Sequence, residues 1–217
     1  GGAGFIGSHL VRRLLTEGYE VSVIDDLSRN VNNIRDLVEN QQVRFLKGDI
    51  RYPEHIDKIM EGVDEVIHLA AVCINRCKSF PREAIDVNLN GSYNVFGAGI
   101  RYGVSRMTYF STASVFGEPE YLPMDERLPH KAMEPYGASK SCAERMLMFL
   151  GKKHEMPYVI IRPFNTFGPR QSMRAVIPTI INQFLKNKKN IFLGSVDTYR
   201  DFNFIDDIVD GFIKVVT

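Results

Sequence analysis

The sequence predicts an α/β fold organised on a doubly wound parallel sheet. Three observations carry that prediction. Short apolar runs alternate with helical patterns through most of the 217 residues, the signature of strands joined by crossover helices. A glycine cluster leads directly into the first helical pattern, as a phosphate-binding turn does. Asp25, Asp49, Ala70-Ala71, Ser111-Thr112 and Asn165 each fall just after an apolar run. Ligands in such sheets bind beyond the carboxyl ends of the strands, so these positions predict one shared site.

The first unit carries the most information. Gly1-Gly2-Ala3-Gly4-Phe5-Ile6-Gly7-Ser8 runs into a helical stripe of Ile6, Leu10, Val11, Leu14 and Leu15, which Gly18 ends. Residues 19–24 form an apolar run closed by Asp25-Asp26. Glycine turn, helix, strand and acid are the parts of a dinucleotide-binding βαβ unit. The glycines let backbone approach pyrophosphate, the helix N-terminus faces the phosphates, and the acid about twenty residues on accepts the ribose hydroxyls. An acid at Asp25 repels a 2′-phosphate and favours NAD over NADP. Arg29 reads as a solvated loop arginine.

The alternation continues. Residues 43–46 read as a strand followed by Lys47-Gly48-Asp49-Ile50, and 56–60 as a helix. Residues 63–69 are a strand ending in His68-Leu69-Ala70-Ala71. A helix spans 82–102, although Gly91, Gly97 and Gly99 weaken it. Residues 104–110 form a strand that runs into Ser111-Thr112-Ala113-Ser114. A polar, proline-rich connection fills 119–135, a helix follows to about 150, and 158–161 is a strand before Arg162-Pro163-Phe164-Asn165. Beyond it come a loop at 167–170, a helix at 175–186, a short strand at 190–193 and a helix from 204. This divides the chain into a dinucleotide-binding domain at 1–165 and the start of a second lobe at 166–217.

Composition excludes several classes. Hydrophobic residues make up 44% and charged residues 24%, and the formal net charge is +1. Such a balance gives no electrostatic reason for nucleic acid or a membrane surface. No apolar run is long enough to span a bilayer, and no signal-peptide pattern opens the chain. The five histidines and three cysteines lack metal-ligand spacing, so no metal is expected. Cys73, Cys77 and Cys142 read as free thiols in a reducing compartment, which points to the cytoplasm.

Tyr136 and Lys140 lie four residues apart at the start of a helix, on one face. A lysine ammonium beside a phenol favours the phenolate, and so makes a general base of tyrosine. The same spacing also occurs on ordinary helices. His68, His9 and His154 read as packed or surface imidazoles, and Glu118, Asp125 and Glu126 as solvated loop acids.

Taken together, Gly1–Ser8, Asp25, Gly48-Asp49-Ile50, His68-Leu69-Ala70-Ala71, Asn88, Ser111-Thr112, Tyr136 with Lys140, Arg162-Pro163-Phe164-Asn165 and Arg200-Asp201-Phe202 carry a resemblance. The chain resembles the extended short-chain dehydrogenase/reductases, in their NAD-dependent nucleotide-sugar epimerase/dehydratase group. The resemblance covers essentially all residues. It implies a Rossmann-like domain with a partial substrate-binding lobe. Gly1, Gly4 and Gly7, with the amides of Phe5 and Ile6, would hold the NAD pyrophosphate. Asp25 would take the adenosine ribose, Asp49 and Ile50 would flank the adenine, and Leu69, Ala70 and Ala71 would line the cofactor. Asn88, counted among the cofactor-binding positions, would brace the active-site strands. Tyr136 would be the catalytic base, Lys140 would hold the nicotinamide ribose, and Thr112 would bond the sugar hydroxyl that is oxidised. Asn165 and Arg200 would contact the nucleotide sugar. Members of the family begin with a strand before the first glycine and continue well past Thr217. By that measure the chain reads as a fragment whose first strand is missing.

The resemblance also frames the reaction. Family dehydratases place an acidic pair directly after the Ser/Thr. Here those positions are Ala113 and Ser114, which do no acid–base work at neutral pH. Epimerisation at C4 through a keto sugar is therefore expected, on a UDP-sugar by the family's commonest choice. Residues 164–171 and 174–178 are more similar to dehydratases and decarboxylases, which keeps that alternative open. A protein that binds NAD without turnover is the reading from another class. Dimerisation through the helices at 82–102 and 136–150, with Met146, Leu147 and Phe149 available, would fit the family.

Overall fold

The computed structural model describes residues 1–29, 32–187, 189–194 and 197–216. The glycine turn opens α1 (Phe5–Thr16), which buries Leu10, Val11 and Leu14 on one face. β1 (Ser22–Asp25) and β2 (Arg44–Lys47) follow, separated by α2 (Arg35–Glu39). Next come α3 (Pro53–Met60), β3 (Glu65–His68), α4 (Ile74–Ser79) and α5 (Pro81–Glu83). A π-helical turn over Ala84–Gly91 leads into α6 (Ser92–Tyr102) and β4 (Arg106–Phe110). After a long connection, α7 (Pro135–Lys153) precedes β5 (Tyr158–Ile161). The last elements are β6 (Asn165–Phe167), α8 (Val176–Leu185), β7 (Phe202–Phe204) and α9 (Ile205–Val216).

Every described strand pair is parallel. β1 pairs with β2 from Ser22 opposite Arg44 to Asp25 opposite Lys47. β3, β4 and β5 form a second ladder, with His68 opposite Tyr109 and Phe110 opposite Ile161. β6 and β7 pair with Asn165 opposite Phe202. Parallel pairs need crossovers, and the helices supply them. Among the described residues no strand joins β1 to β3. Gly1 stands between their carboxyl ends, its amino group donating to the Ile24 carbonyl at 2.7 Å.

Helices cover both faces of the β3–β5 ladder. On one side Ile56, Met60, Phe96, Met107, Tyr109, Ala143 and Leu147 form the main core. On the other, Leu10 and Leu14 of α1 meet Phe110, Ile205 and Phe212. The alternation of Tyr109 and Phe110 to opposite faces is the period-2 pattern of a strand buried on both sides. Leu147 is thus a core residue. Of the apolar residues expected at a dimer contact, it is unavailable, while Phe149 is exposed.

Two departures from the expected elements have physical causes. The helix expected over 82–102 is divided into α5, the π-helical turn and α6, and two of its glycines are close-approach positions. A Cβ on Gly91 would lie 2.7 Å from Ile50 Cδ1, and one on Gly99 would lie 3.2 Å from Val104 Cγ2. The expected strand at 190–193 is not one. The Gln183 side chain takes both backbone groups of Phe192, donating to its carbonyl and accepting from its amide at 2.8 Å each. One side chain thereby does the work of a ladder. The neighbouring Phe184, Leu185 and Phe192 stay exposed.

Candidate active site

The site is built around the first two turns of α7. Glu134 caps that helix, its carboxylate accepting from the amides of Tyr136 at 2.9 Å and Gly137 at 2.7 Å. Pro135 follows at the first helical position, where its missing N–H is no loss. The cap fixes the phase of the helix, and Tyr136, Lys140 and Glu144 then fall on one face at intervals of four.

Tyr136 meets Thr112. Burial pushes the Tyr136 phenol up to about 12, and the nearby Thr112 hydroxyl works against that rise by favouring ionisation. Thr112 itself caps the short turn Ala113–Phe116, accepting from the Ser114 amide at 3.1 Å. The Ser114 hydroxyl lies 3.2 Å from Thr112 Oγ1.

Lys140 is 2% exposed. Its ammonium donates to the Phe110 carbonyl at 2.5 Å and lies 4.2 Å from the centre of the Tyr109 ring. Burial pulls it down to about 7, and Glu144 opposes that fall. The expected pull of Lys140 toward the phenolate is not among the main effects on the Tyr136 phenol. In the chain by itself both groups are shifted by desolvation, toward their uncharged forms.

Asn88 is fully buried. Its Oδ1 accepts from the Val72 amide at 2.7 Å, and its Nδ2 donates to the Val72 carbonyl at 3.2 Å and to Ser139 Oγ at 3.1 Å. Ser139 Oγ in turn donates to the Tyr136 carbonyl at 2.7 Å. Asn88 therefore ties the loop after β3 to α7. His68 ends β3 with Nε2 at 2.8 Å from Ser92 Oγ. Burial and the nearby Lys140 charge hold it well below the usual imidazole range, so it is a packed neutral ring.

The expected cofactor positions gather at the other side of the crevice. A Cβ on Gly1 would lie 2.6 Å from the Leu69 carbonyl carbon and 2.8 Å from Ala70 Cα, and one on Gly7 would lie 2.8 Å from Gly2 Cα. Gly4 is the N-cap of α1 and offers no side-chain partner to the amides of the first turn. The Phe5 and Ile6 side chains turn toward the second core cluster. The buried carboxylate of Asp25 accepts from the Ala3 amide at 3.0 Å and the Leu27 amide at 2.9 Å. Asp49 is held by the Arg51 guanidinium at 2.5 and 2.8 Å. The Ile50 side chain points into the main core, which leaves its backbone, and not its side chain, to face an adenine. Ala71 follows Leu69 and Ala70 past the end of β3. Arg29 is an exposed loop residue, as expected, and its Nη2 lies 2.6 Å from Cys73 Sγ.

The β6–β7 pair joins the segments that carry the two expected substrate positions. Asn165 Nδ2 donates to the Asp201 carbonyl at 3.2 Å, and Arg200 beside it donates to its neighbour's carbonyl, Tyr199 O, at 3.0 Å. Three further contributors belong to no motif in the sequence. Glu134 and Ser139 are the cap and the brace described above. Glu144, 0% exposed, is gripped by Arg162 at 2.6, 3.0 and 3.1 Å. The only sequence signal for Glu144 is its place one more turn beyond Lys140. Among the described residues no group of three or more His, Cys, Asp or Glu could hold a metal ion.

A model of the NAD dependent epimerase/dehydratase family matches residues 1–217. The chain belongs to this family. It is 34% identical over 215 residues to a putative UDP-glucose 4-epimerase of Methanocaldococcus jannaschii, covering 96% of this chain and 69% of that protein. It is 31% identical over 227 residues to a dTDP-D-glucose 4,6-dehydratase of Mus musculus, covering 100% of this chain and 63% of that protein. It is similar to the crystal structure of a Thermus thermophilus UDP-glucose 4-epimerase in complex with NAD, with a TM-score of 0.88 and 29% identity. That match covers 99% of this chain and 72% of the other.

The residues present fit the family's cofactor. The crevice floor is glycine where a Cβ would strike backbone, so it admits a diphosphate at close range. The amides of the first turn of α1 have no side-chain cap, which suits them to bind an anion. Asp25, held in place by two backbone amides, keeps lone pairs free for a pair of vicinal hydroxyls.

Proposed function

We propose that the chain carries the NAD-binding and catalytic part of a nucleotide-sugar 4-epimerase. The observation that carries this reading is Thr112 acting on the buried Tyr136 phenol, with Ala113 and Ser114, not an acidic pair, directly after it. A hydroxyl pair presented to one substrate hydroxyl suits removal and return of a proton at a single carbon. Elimination of water needs a further acid and base, and Ser114 is already occupied with Thr112.

Gly1, Gly4, Gly7 and the first-turn amides of α1 would hold the NAD diphosphate, and Asp25 the adenosine ribose. Asp49 and the Ile50 backbone would border the adenine, and Leu69–Ala71 the span between. When bound, NAD⁺ supplies the hydride acceptor. Thr112 orients the sugar 4-hydroxyl by hydrogen bonding. As the phenolate, a form that burial disfavours in the chain by itself, Tyr136 takes the proton from that hydroxyl, and as the phenol it later returns the proton to the oxygen of the 4-keto sugar. Lys140 holds its ammonium behind the tyrosine, toward the nicotinamide ribose. Arg200 suits the substrate diphosphate, because a guanidinium fork matches phosphate oxygens, and Asn165 lies beside it. We take residues 1–165 as the cofactor domain and 166–217 as part of the substrate lobe. UDP-sugars are the first substrates to test, since the archaeal relative is a putative UDP-glucose 4-epimerase.

The test is product mass. The protein is incubated with NAD⁺ and a panel of UDP- and dTDP-sugars, and products are separated and weighed. An isomer of unchanged mass is expected. A product lighter by one water would overturn epimerisation in favour of the dehydratase reading, which the mouse relative supports. Tyr136→Phe is expected to abolish turnover while leaving NAD⁺ binding, measured by calorimetry, within about threefold.

A further inference from the structure

Lys140 and Glu144 are both buried on the face of α7 that meets the sheet, one turn apart. Arg162, just past β5, grips the Glu144 carboxylate with Nε and Nη2. His130, from the connection before α7, places Nε2 at 3.6 Å from Glu144 Oε2 and Nδ1 at 2.7 Å from Ser141 Oγ. The Arg162 guanidinium also lies 5.4 Å from the ring of Phe116, the last residue of the turn that Thr112 caps. One carboxylate thus joins three segments that frame the site: α7, the end of β5 and the connection over residues 117–134.

We propose that Glu144 is a positioning residue: clamped by Arg162, its carboxylate fixes the buried face of α7 and favours the protonated form of Lys140, one turn away against the Phe110 carbonyl. This rests on the reading that Lys140 serves the Tyr136 site. A lysine this deeply buried is driven toward its neutral form unless a negative charge opposes that. Glu144 is the one carboxylate that acts on it in that sense. The other groups facing the pair do not. His68 at the end of β3 is neutral, and Tyr109 on β4 is pushed far up by burial and stays a neutral phenol. Tyr136 is likewise held protonated. Arg162 is positive, and His130 is lowered by burial, with Arg145 adding to that effect.

The test needs neither cofactor nor substrate. Lysine is labelled with ¹⁵N and ¹³C, Lys140 is assigned by its absence in Lys140→Arg, and its protonation is followed by NMR against pH. In the wild type a midpoint near 7 is expected. Glu144→Gln keeps the shape and removes the charge, and should lower that midpoint by about one pH unit. A merely structural role predicts the opposite, since loosening the helix admits water and raises the midpoint toward the ordinary lysine value of 10.5. An unchanged or raised midpoint overturns the proposal. If Glu144→Gln does not fold, Glu144→Asp decides it: a midpoint kept within about 0.3 unit supports the charge role, and a rise toward the ordinary value overturns it. Failure of the epimerase reading would appear in product mass and leave this titration unchanged.

Discussion

Tyr136 and Lys140 share a helical face but not a fate. The phenol is pushed up by burial and the ammonium is pulled down, so at neutral pH the chain alone holds Tyr136 as a proton donor and Lys140 near the middle of its titration. An ultraviolet titration of the phenolate band, taken as the difference between wild type and Tyr136→Phe, should therefore find a midpoint near 12 and not at the ordinary 10. A midpoint at or below 10 would show that the lysine acts on the phenol after all. Tyr136, Lys140 and Thr112 are legible in the sequence because their relation is local: four residues on a helix, and a hydroxyl just after a strand. The contacts that position them are not. Asn88 reaches Ser139 across 51 residues and Arg162 reaches Glu144 across 18, distances over which sequence spacing carries no geometry.

At the scale of single elements, two short features hold the crevice open and in phase. The Glu134 cap fixes where α7 begins, and its loss leaves two amides without partners. Glu134→Ala is expected to cost about 1 kcal/mol in urea denaturation. It should also weaken turnover more than it weakens NAD⁺ binding, because the Tyr136 phase depends on it. Gly7 sits where α1 meets the Gly1–Gly2 backbone. Gly7→Ala should reduce NAD⁺ affinity by roughly tenfold or more in calorimetry, since the added carbon must displace backbone that has no slack. Native-like affinity in that variant would remove the glycine floor from the site. The parallel strands are legible as apolar runs of strand length. Residues 190–193 mislead because Ile191, Phe192 and Leu193 have strand composition while the backbone of Phe192 is satisfied by Gln183. The π-helical turn at Ala84–Gly91 has no sequence signal of its own; its helix is legible, its pitch is not.

For the molecule as a whole, pH acts through the buried imidazole. His68 titrates well below 6.5 in the folded chain and near 6.5 when unfolded. Above 6.5 both forms are neutral and the full stability is present. As pH falls below 6.5 the unfolded chain takes up a proton that the folded chain refuses, so stability is lost with acidification. His9 and His130 are also lowered and add the same sign. Between about pH 7.5 and about pH 5, stability measured by urea denaturation should fall by on the order of 1 kcal/mol or more. His68→Gln should flatten that slope, and an unchanged slope would place the effect elsewhere. At this scale the sequence conveys the alternation of strands and helices. It does not convey that α9, from the segment expected to open a second lobe, packs back on α1 through Ile205 and Phe212.

The Gln183 clasp has a colloidal consequence. By holding Phe192 beside α8 without folding it into a sheet, it leaves Phe184, Leu185 and Phe192 at 71, 74 and 72% exposure. Oily side chains bared in one place make a molecule adhesive in dilute buffer. Light scattering from the purified 217-residue chain should rise with concentration, and a non-ionic detergent below its micelle threshold should lower it. Replacing Phe184 and Leu185 with serine should have the same effect as the detergent, and leave NAD⁺ affinity untouched.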